Sequence, residues 1–174
     1  MADKKEEQLQ TQSDMNEMMQ FRLDKMKAFA DKGIAPFGHR YEVTYHAQDV
    51  FDHFDELEGE DSDRKVRLAG RLMAIRGHGK ASFCVLMDVS GKIQVYFKLD
   101  VLGEEKYSEF KLLDIGDIIG LAGRVFRTHR GEVTVKIEDF DLLSKSLRPL
   151  PEKFHGLTDV EIRYRQRYLD LIVN

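Results

Sequence analysis

The fold of this chain is decided by residues 76–97, RGHGKASFCVLMDVSGKIQVYF. Two apolar runs that alternate with period two flank the turn-forming sequence DVSG (88–91), a pattern typical of a β-hairpin. If Asp88 pairs with Gly91, every position on one face of the hairpin is apolar. This face is predicted to be the core face, and it comprises Cys84, Leu86, Ile93, Val95 and Phe97.

The opposite face of the hairpin combines aromatic, amide and cationic side chains. The same register places Phe83 opposite Tyr96 and brings Gln94 beside them, with Arg76 and Lys80 close by. A flat ring, an amide that both donates and accepts, and nearby cations suit a single-stranded base. The alternative is a cross-strand aromatic pair with only a structural role, and residue chemistry alone leaves both interpretations open.

Charge is distributed unevenly along the chain. The net charge is −4, which argues against a generic nucleic-acid binder. Residues 1–63 carry 7 basic and 16 acidic side chains, whereas residues 64–98 carry 8 basic and one acidic, Asp88. The hairpin region is therefore strongly positive, where a phosphate backbone could use the charge.

Several function classes are excluded by composition. No apolar run reaches membrane-spanning length, and the N-terminus lacks the apolar segment of a signal peptide, so we expect a cytoplasmic protein with no membrane partner. The single cysteine, Cys84, excludes an internal disulfide. No Cys/His cluster has metal-ligand spacing, so no metal is expected.

The N-terminal part is predicted to be helical. Residues 1–13 are polar and without periodicity, which predicts a disordered tail. A helix is predicted to begin at Asp14 and end at Gly33, and Thr44 is predicted to cap a shorter helix, followed by an acidic connector at 56–63. The first helix has an apolar stripe expected to pack on a neighbouring domain or, alternatively, a partner: Met15, Met18, Met19, Leu23, Met26 and Ala30.

From Lys65 onward the pattern is that of a small barrel. A switch of apolar parity near Gly70 predicts a bend in the first strand, and the hairpin strands follow. A helix is predicted over 103–113, then strands over 118–128 and 132–143. The order β-β-β-α-β-β predicts a mainly β fold with flanking helices. This is the five-stranded oligonucleotide/oligosaccharide-binding (OB) Greek-key barrel over 64–146, preceded by a helical extension over 14–63.

The last segment, 147–174, is predicted to be a linker and the start of a truncated catalytic domain. Pro149 and Pro151 stiffen the linker, and Thr158 with Glu161 indicates a new capped helix. That helix carries apolar side chains for which the barrel offers no evident surface: Tyr164, Tyr168, Leu169 and Ile172.

The hairpin and two later stretches give the chain a family resemblance over residues 15–174. The hairpin pattern F-x-x-L-x-D-x-x-G-x-I-Q resembles class II lysyl-tRNA synthetases and is shared with the aspartyl and asparaginyl enzymes. The stretches RPLPEKFHGL (148–157) and RYRQRYLDLI (163–172) are more particular to the lysyl family, bacterial type.

The resemblance implies that the barrel binds the anticodon, UUU, of lysine tRNA. By motif position, Phe83 stacks on an anticodon base, Gln94 and Arg76 hydrogen-bond the middle uridine, and Glu132 contacts the third base. Phosphate contacts are expected from Lys80, Lys92 and Arg130. The resemblance also implies a homodimer that attaches lysine to tRNA with ATP and Mg²⁺.

The two arginine motifs of the family's catalytic domain are absent from these 174 residues. We therefore expect the chain to bind tRNA, but not DNA, and to hold neither a catalytic residue nor a cofactor of its own. The alternatives are a stand-alone single-stranded nucleic-acid-binding OB protein, a non-catalytic synthetase-like regulator, or an aspartyl or asparaginyl relative.

Overall fold

The computed structural model describes residues 2–59, 64–151, 157 and 160–173. Helices α1 to α3 precede the first strand, α4 and α5 separate the third strand from the fourth, and α6 and α7 follow the last strand. The helices are α1 Ala2–Asp31, α2 Ala47–Asp52, α3 Phe54–Leu57, α4 Leu99–Leu102, α5 Glu104–Phe110, α6 Val160–Arg165 and α7 Arg167–Val173. The strands are β1 Val66–His78, β2 Ala81–Met87, β3 Lys92–Lys98, β4 Ile118–Arg127 and β5 Val133–Ser144.

The five strands close into a barrel in the order β1-β2-β3-β5-β4, which confirms the predicted OB fold. Strands β3 and β5 are parallel and all other neighbours are antiparallel. The barrel interior is apolar and fully buried, and its largest members include Leu68, Leu72, Leu86, Phe97, Leu121 and Ile137. Burial of this set is the main source of stability for the barrel.

The predicted hairpin register is confirmed. Phe83 pairs with Tyr96 and Val85 with Gln94, and the Asp88 amide donates to the Gly91 carbonyl at 2.9 Å. All five predicted core positions of the hairpin are buried. The alternate positions therefore face outward.

Strand β1 bends where its parity switches. The register with β2 shifts between Leu72 and Ala74, and Leu72 and Met73 are consecutive buried residues. Gly70 lies so close to β2 that a Cβ atom there would meet the Met87 carbonyl oxygen at 2.5 Å. This close approach requires glycine and lets β1 serve two neighbours in the closed barrel.

The predicted helix over 103–113 corresponds to α5, which ends at Phe110, and the short helix α4 precedes it. Tyr107, Phe110 and Leu113 are buried. The Tyr107 hydroxyl donates to the Gly79 carbonyl at 3.0 Å, which ties α5 to the β1–β2 turn.

Helix α1 begins at Ala2, so the predicted start at Asp14 was wrong, whereas the disordered tail over residues 1–13 stays a prediction. The segment contains no glycine or proline and is rich in Lys, Glu and Gln, which favour helix without any apolar periodicity. Asp14 accepts a side-chain hydrogen bond from Gln10 at 3.0 Å, one turn earlier in the same helix, and does not act as the cap.

The buried face of α1 also differs from the predicted methionine stripe. Phe29 and Arg22 are buried, whereas Met15 and Met18 are exposed. The Arg22 guanidinium donates to the carbonyls of Ile115 and Ser146, at 3.0 Å each. The barrel offers α1 polar groups as well as an apolar surface here, so polar contacts contribute to the orientation of the helix.

A buried ionic cluster lies beside this contact. Lys145 has a fully buried side chain whose Nζ lies 2.7 Å from Asp114 and 2.8 Å from Asp117. Lys25 of α1 adds an ion pair with Asp114 at 2.7 Å. Burial raises the pKa of Asp117, opposed by Lys145; burial has the same effect on Asp114, but Lys145 and Lys25 outweigh it and lower the pKa of that carboxyl. We call Arg22, Lys25, Asp114, Asp117 and Lys145 the α1 dock.

The N-cap of α2 is His46, whose amide donates to Asp49 Oδ2 at 2.8 Å, so the prediction that Thr44 caps this helix was wrong. The Thr44 hydroxyl accepts from the Arg67 amide at 2.9 Å. The first amides of α2, those of Ala47 and Gln48, donate to Asp88 Oδ2 at 2.7 Å and Ser90 Oγ at 3.0 Å. These hydrogen bonds fix the hairpin turn against the N-terminal extension.

The C-terminal segment forms α6 and α7, separated at Gln166, instead of one helix. Tyr164 and Tyr168 are exposed as predicted, whereas Leu169 and Ile172 are half-buried. Predictions for residues 60–63 of the acidic connector, for residues 152–156 and for the Thr158 cap lie outside the described residues.

Candidate nucleic-acid interface

Three aromatic rings lie side by side on the outer surface of the barrel. Phe83 and Tyr96 are stacked with ring centroids 4.5 Å apart and planes inclined by 26°. Phe126 of β4 lies 6.2 Å from Tyr96 at an angle of 58°. Phe83 keeps 39% of its surface exposed, which leaves one side of the stack open. We call Phe83, Tyr96 and Phe126 the aromatic row.

Sequence reasoning missed Phe126. The outward orientation of Phe126 on β4 could be predicted from alternation along the strand, because its neighbour Val125 is apolar and buried. Its place beside Tyr96 depends on β5 lying between β3 and β4, and no local pattern shows this.

Gln94 is held in one orientation by Thr134, its register partner on β5. The Gln94 amide nitrogen donates to the Thr134 hydroxyl at 3.1 Å, and that hydroxyl donates to the Glu132 carbonyl at 3.3 Å. The only hydroxyl hydrogen of Thr134 is thereby used, so Thr134 can only accept from Gln94. No described residue donates to Gln94 Oε1, which remains available as an acceptor.

Arg76 completes a line of residues across the hairpin. It lies opposite Phe83 in the β1–β2 register, and Phe83 lies opposite Tyr96. Among the described residues, none forms an ion pair or hydrogen bond with the Arg76 side chain. The structure thus brings together the predicted residues Arg76, Phe83 and Gln94 on one face.

Glu132 follows a compact turn at the edge of this face. The Thr128 amide donates to the Glu132 carbonyl at 2.9 Å, and the Gly131 amide donates to the Thr128 carbonyl at 2.8 Å, with Gly131 at φ +87°. The exposed carboxylate of Glu132 has no partner in the described chain. Glu132 comes two residues before Thr134, the register partner of Gln94, and Arg130 lies exposed within the turn.

The structure does not bring the predicted phosphate ligands Lys80 and Lys92 together. Lys80 precedes β2 and Lys92 begins β3, so the length of a strand, about 20 Å, separates them. Both lysines are exposed, and neither side chain has a partner among the residues described. They can contact different phosphates, but not the same one.

The carboxylate most able to repel phosphate is turned away from this face. Asp88 is the one acidic residue in 64–98, and its side chain is 4% exposed. Burial would raise the pKa of Asp88, but hydrogen bonds from Ala47, Ser90 and Gly91 bring that pKa below its ordinary value. Its charge is therefore held by amides at the start of α2 and in the hairpin turn.

The described residues offer binding groups and no evident reaction chemistry. Burial raises the pKa of the Cys84 thiol to about 12, so it is not a nucleophile at neutral pH. Within the described ranges, no three His, Cys, Asp or Glu side chains are grouped to hold a metal ion. No described helix combines the length and the apolar composition needed to cross a bilayer.

Comparison with known proteins places this face in a family. Residues 66–143 match the OB-fold nucleic acid binding domain of the tRNA anticodon type. The chain is 53% identical over 161 residues to a lysine–tRNA ligase of Carboxydothermus hydrogenoformans, covering 92% of this chain and 32% of that protein. It is 51% identical over 164 residues to the lysine–tRNA ligase of Bacillus subtilis, and this match covers 92% of this chain and 33% of that protein.

A third relative shows the same relation over the whole chain. The lysine–tRNA ligase of Pelotomaculum thermopropionicum is 52% identical over 181 aligned positions, covering 100% of this chain and 35% of that protein. The chain spans about a third of the length of the curated relatives it matches. Residues 66–143 therefore belong to the OB-fold nucleic acid binding family, and the chain as a whole is homologous to the N-terminal region of bacterial lysine–tRNA ligases.

Proposed function

We propose that this chain is the anticodon-binding region of a lysine–tRNA ligase and that its outer hairpin face recognises the UUU anticodon. The observation that carries this proposal is the stacked pair Phe83–Tyr96 beside Gln94, on a face where Arg76 has no partner among the described residues. The similarity to lysine–tRNA ligases supports the lysyl family over the aspartyl and asparaginyl relatives.

Stacking supplies the first part of binding. The inner side of Phe83 is covered by Tyr96, and its outer side is open to solvent. A base laid on that side extends an existing stack instead of displacing a packed group. Each base–aromatic stack of this kind is worth about 1–3 kcal/mol.

The preference for uridine comes from the fixed amide of Gln94. Its Oε1 is a free acceptor because Thr134 holds the nitrogen. Uracil presents an N3–H donor at the matching position, whereas cytosine presents an acceptor there, so only uracil pairs without leaving two acceptors opposed. Arg76, opposite Phe83, can donate to a uracil carbonyl or to a phosphate.

Glu132 serves the third base in the same manner. Its carboxylate accepts hydrogen bonds only, and it comes two residues before Thr134, the register partner of Gln94. An N3–H donor of a neighbouring uridine is its natural partner. Lys80, Lys92 and Arg130 at the margins can contact phosphates without reading sequence.

The whole protein, on this proposal, attaches lysine to its tRNA in the cytoplasm, using ATP and Mg²⁺ and working as a homodimer. The basis is the similarity to proteins named lysine–tRNA ligase. The residues described contribute tRNA binding, and we assign them no step of aminoacylation.

A stand-alone single-stranded nucleic-acid binder is the second candidate. The aromatic row with flanking cations suits unpaired bases of any sequence, which favours this function on chemistry alone. The two candidates differ in whether the middle base of the triplet matters.

The deciding experiment is a titration of an anticodon stem-loop carrying UUU against one carrying UCU, at several salt concentrations. We expect tighter binding of the UUU loop at every salt concentration, because the discrimination comes from a base edge and not from phosphate. Equal affinities throughout would contradict anticodon recognition and favour the generic binder.

A further inference from the structure

A groove of about 410 Å³ continues the aromatic row beyond the hairpin. It begins at Tyr96 and Phe126 and runs along β3, β5 and β4, with the end of α3 on its far side. Its lining comprises Glu58, Gly59, Tyr96, Lys98, Val101, Arg124, Val125, Phe126 and Lys136. None of the predicted anticodon-reading residues lines it.

The strand registers show that the groove and the hairpin face are one continuous surface. Arg76 pairs with Phe83, Phe83 with Tyr96, and Tyr96 with Lys136, which in turn pairs with Arg124. A single line of residues with outward parity therefore crosses all five strands. A strand of RNA that crosses the hairpin over Phe83 and Tyr96 is directed into the groove.

The cations of the groove are not equivalent. Arg124 Nε lies 2.6 Å from Glu138, which also pairs with Lys65 at 2.6 Å, so the guanidinium of Arg124 already has an anionic partner. Lys98 lies 3.5 Å from exposed Asp100. Lys136 is half-buried, and its side chain has no hydrogen bond or ion pair in the part of the chain that is described. An unpaired cation beside aromatic rings is available to an anionic ligand such as a phosphate.

We infer that the groove binds one nucleotide flanking the recognised triplet, with its phosphate on Lys136 and its base against Phe126. This inference rests on the proposed function, because the triplet on the hairpin face delivers the flanking nucleotide. Lys136 lies opposite Tyr96, and Phe126 lies opposite Thr134, two residues before Lys136 on β5, so the cation and the rings are neighbours on one face. This separation between a cation and a ring allows one nucleotide to place its phosphate on Lys136 and its base against Phe126.

The test uses the full chain and the UUU stem-loop with four variants. Lys136→Met removes the cation, and its matched control is Lys27→Met, an exposed lysine of α1. Phe126→Leu removes the ring and keeps apolar bulk, and its control is Phe37→Leu, an exposed phenylalanine bridged to Ser144 near the far end of β5. Thermal unfolding establishes that each variant is folded.

We expect Lys136→Met to weaken every stem-loop similarly and to reduce the slope of log K against log salt by about 0.7, the value for one phosphate on a single strand. We expect an abasic site next to the triplet, on one side of it, to weaken wild-type binding about fivefold or more. With the same abasic loop, Phe126→Leu and the wild type should bind with equal affinity. Both control variants should bind as the wild type does.

Three outcomes are distinguishable. Lys136→Met and Phe126→Leu that behave as their controls, with the UUU preference intact, would overturn the groove and leave the proposed function standing. Loss of the UUU preference in the wild type would overturn the proposed function. If the Lys136 salt effect and the Phe126 coupling persisted in that case, they would still support the groove as an RNA subsite.

Discussion

Among the described residues, charged side chains are buried and paired in the α1 dock but exposed and unpaired on the outer hairpin face. In the α1 dock, Lys145 is fully buried and has ion pairs with Asp114 and Asp117. On the hairpin face, the side chains of Arg76 and Lys80 are exposed and have no partner among the described residues. Charges paired inside the protein hold the fold together, whereas charges left unpaired at the surface are available to a ligand. Variants of the two regions should therefore affect different measurements.

The largest expected effect is in the α1 dock. Lys145→Met leaves the fully buried carboxylate of Asp117 without its cation, whereas Asp114 keeps Lys25, and should lower the free energy of unfolding by about 3–5 kcal/mol. Denaturant unfolding measures this, with Lys27→Met as the matched exposed control. A loss of stability below about 1 kcal/mol, the size typical of a surface ion pair, would contradict a stabilising role for the α1 dock.

The next effect is on binding alone. Phe83→Ala should weaken stem-loop binding by about 1–3 kcal/mol. It should change the free energy of unfolding little, because the ring faces outward and keeps 39% of its surface exposed. Phe97→Ala, at the buried neighbouring position on β3, is the contrast and should cost about 3–5 kcal/mol of stability. A comparable stability loss for Phe83→Ala would place that ring in the core.

A third variant separates base reading from phosphate binding. Gln94→Ala should erode the preference for UUU over UCU and leave the salt slope unchanged. Thr134→Val should also reduce the preference for UUU over UCU, but by less, because it removes the acceptor that orients Gln94 without removing the amide. Stem-loop titration at several salt concentrations measures both quantities. An unaltered ranking of the two loops in Gln94→Ala would rule out its reading role.

The smallest effect concerns pH. Asp88 and Asp114 each have a folded pKa below the ordinary value of 3.8. The stability they contribute is fully present above pH 3.8 and is lost as pH falls through their folded pKa values. Asp117 acts in the opposite sense because its pKa is raised.

Unfolding free energies measured in steps from pH 7 to pH 3 should therefore decline at the acid end. Asp88→Asn should be less stable at neutral pH and decline less on acidification. If the unfolding free energy declined equally at low pH in the variant and the wild type, Asp88 would not contribute to that decline.

The hairpin was predictable because its determinants are local. Alternation with period two and the DVSG turn fixed the Phe83–Tyr96 register, and the structure reproduces it. The bend near Gly70 was readable for the same reason. The start of α1 was not, because apolar periodicity marks where a helix packs and not where helix-forming residues begin.

The α1 dock and the full extent of the candidate site were not predictable. Lys145 meets Asp117 across 28 sequence positions, and Gln94 meets Thr134 across 40. Such contacts depend on which strands become neighbours. The insertion of β5 between β3 and β4 brings Phe126 and Lys136 to Tyr96, and this follows from barrel closure instead of any local pattern.

The most direct test of the central claim is chemical-shift mapping of the isotope-labelled chain during titration with the UUU stem-loop. We predict that the amide perturbations cluster at Arg76, Phe83, Gln94 and Glu132, and that they are weaker with the UCU loop. Amides of the α1 dock, Asp114 and Lys145 among them, should stay unchanged. Perturbations centred on the α1 dock, or equal maps for the two loops, would contradict the assignment of recognition to the outer hairpin face.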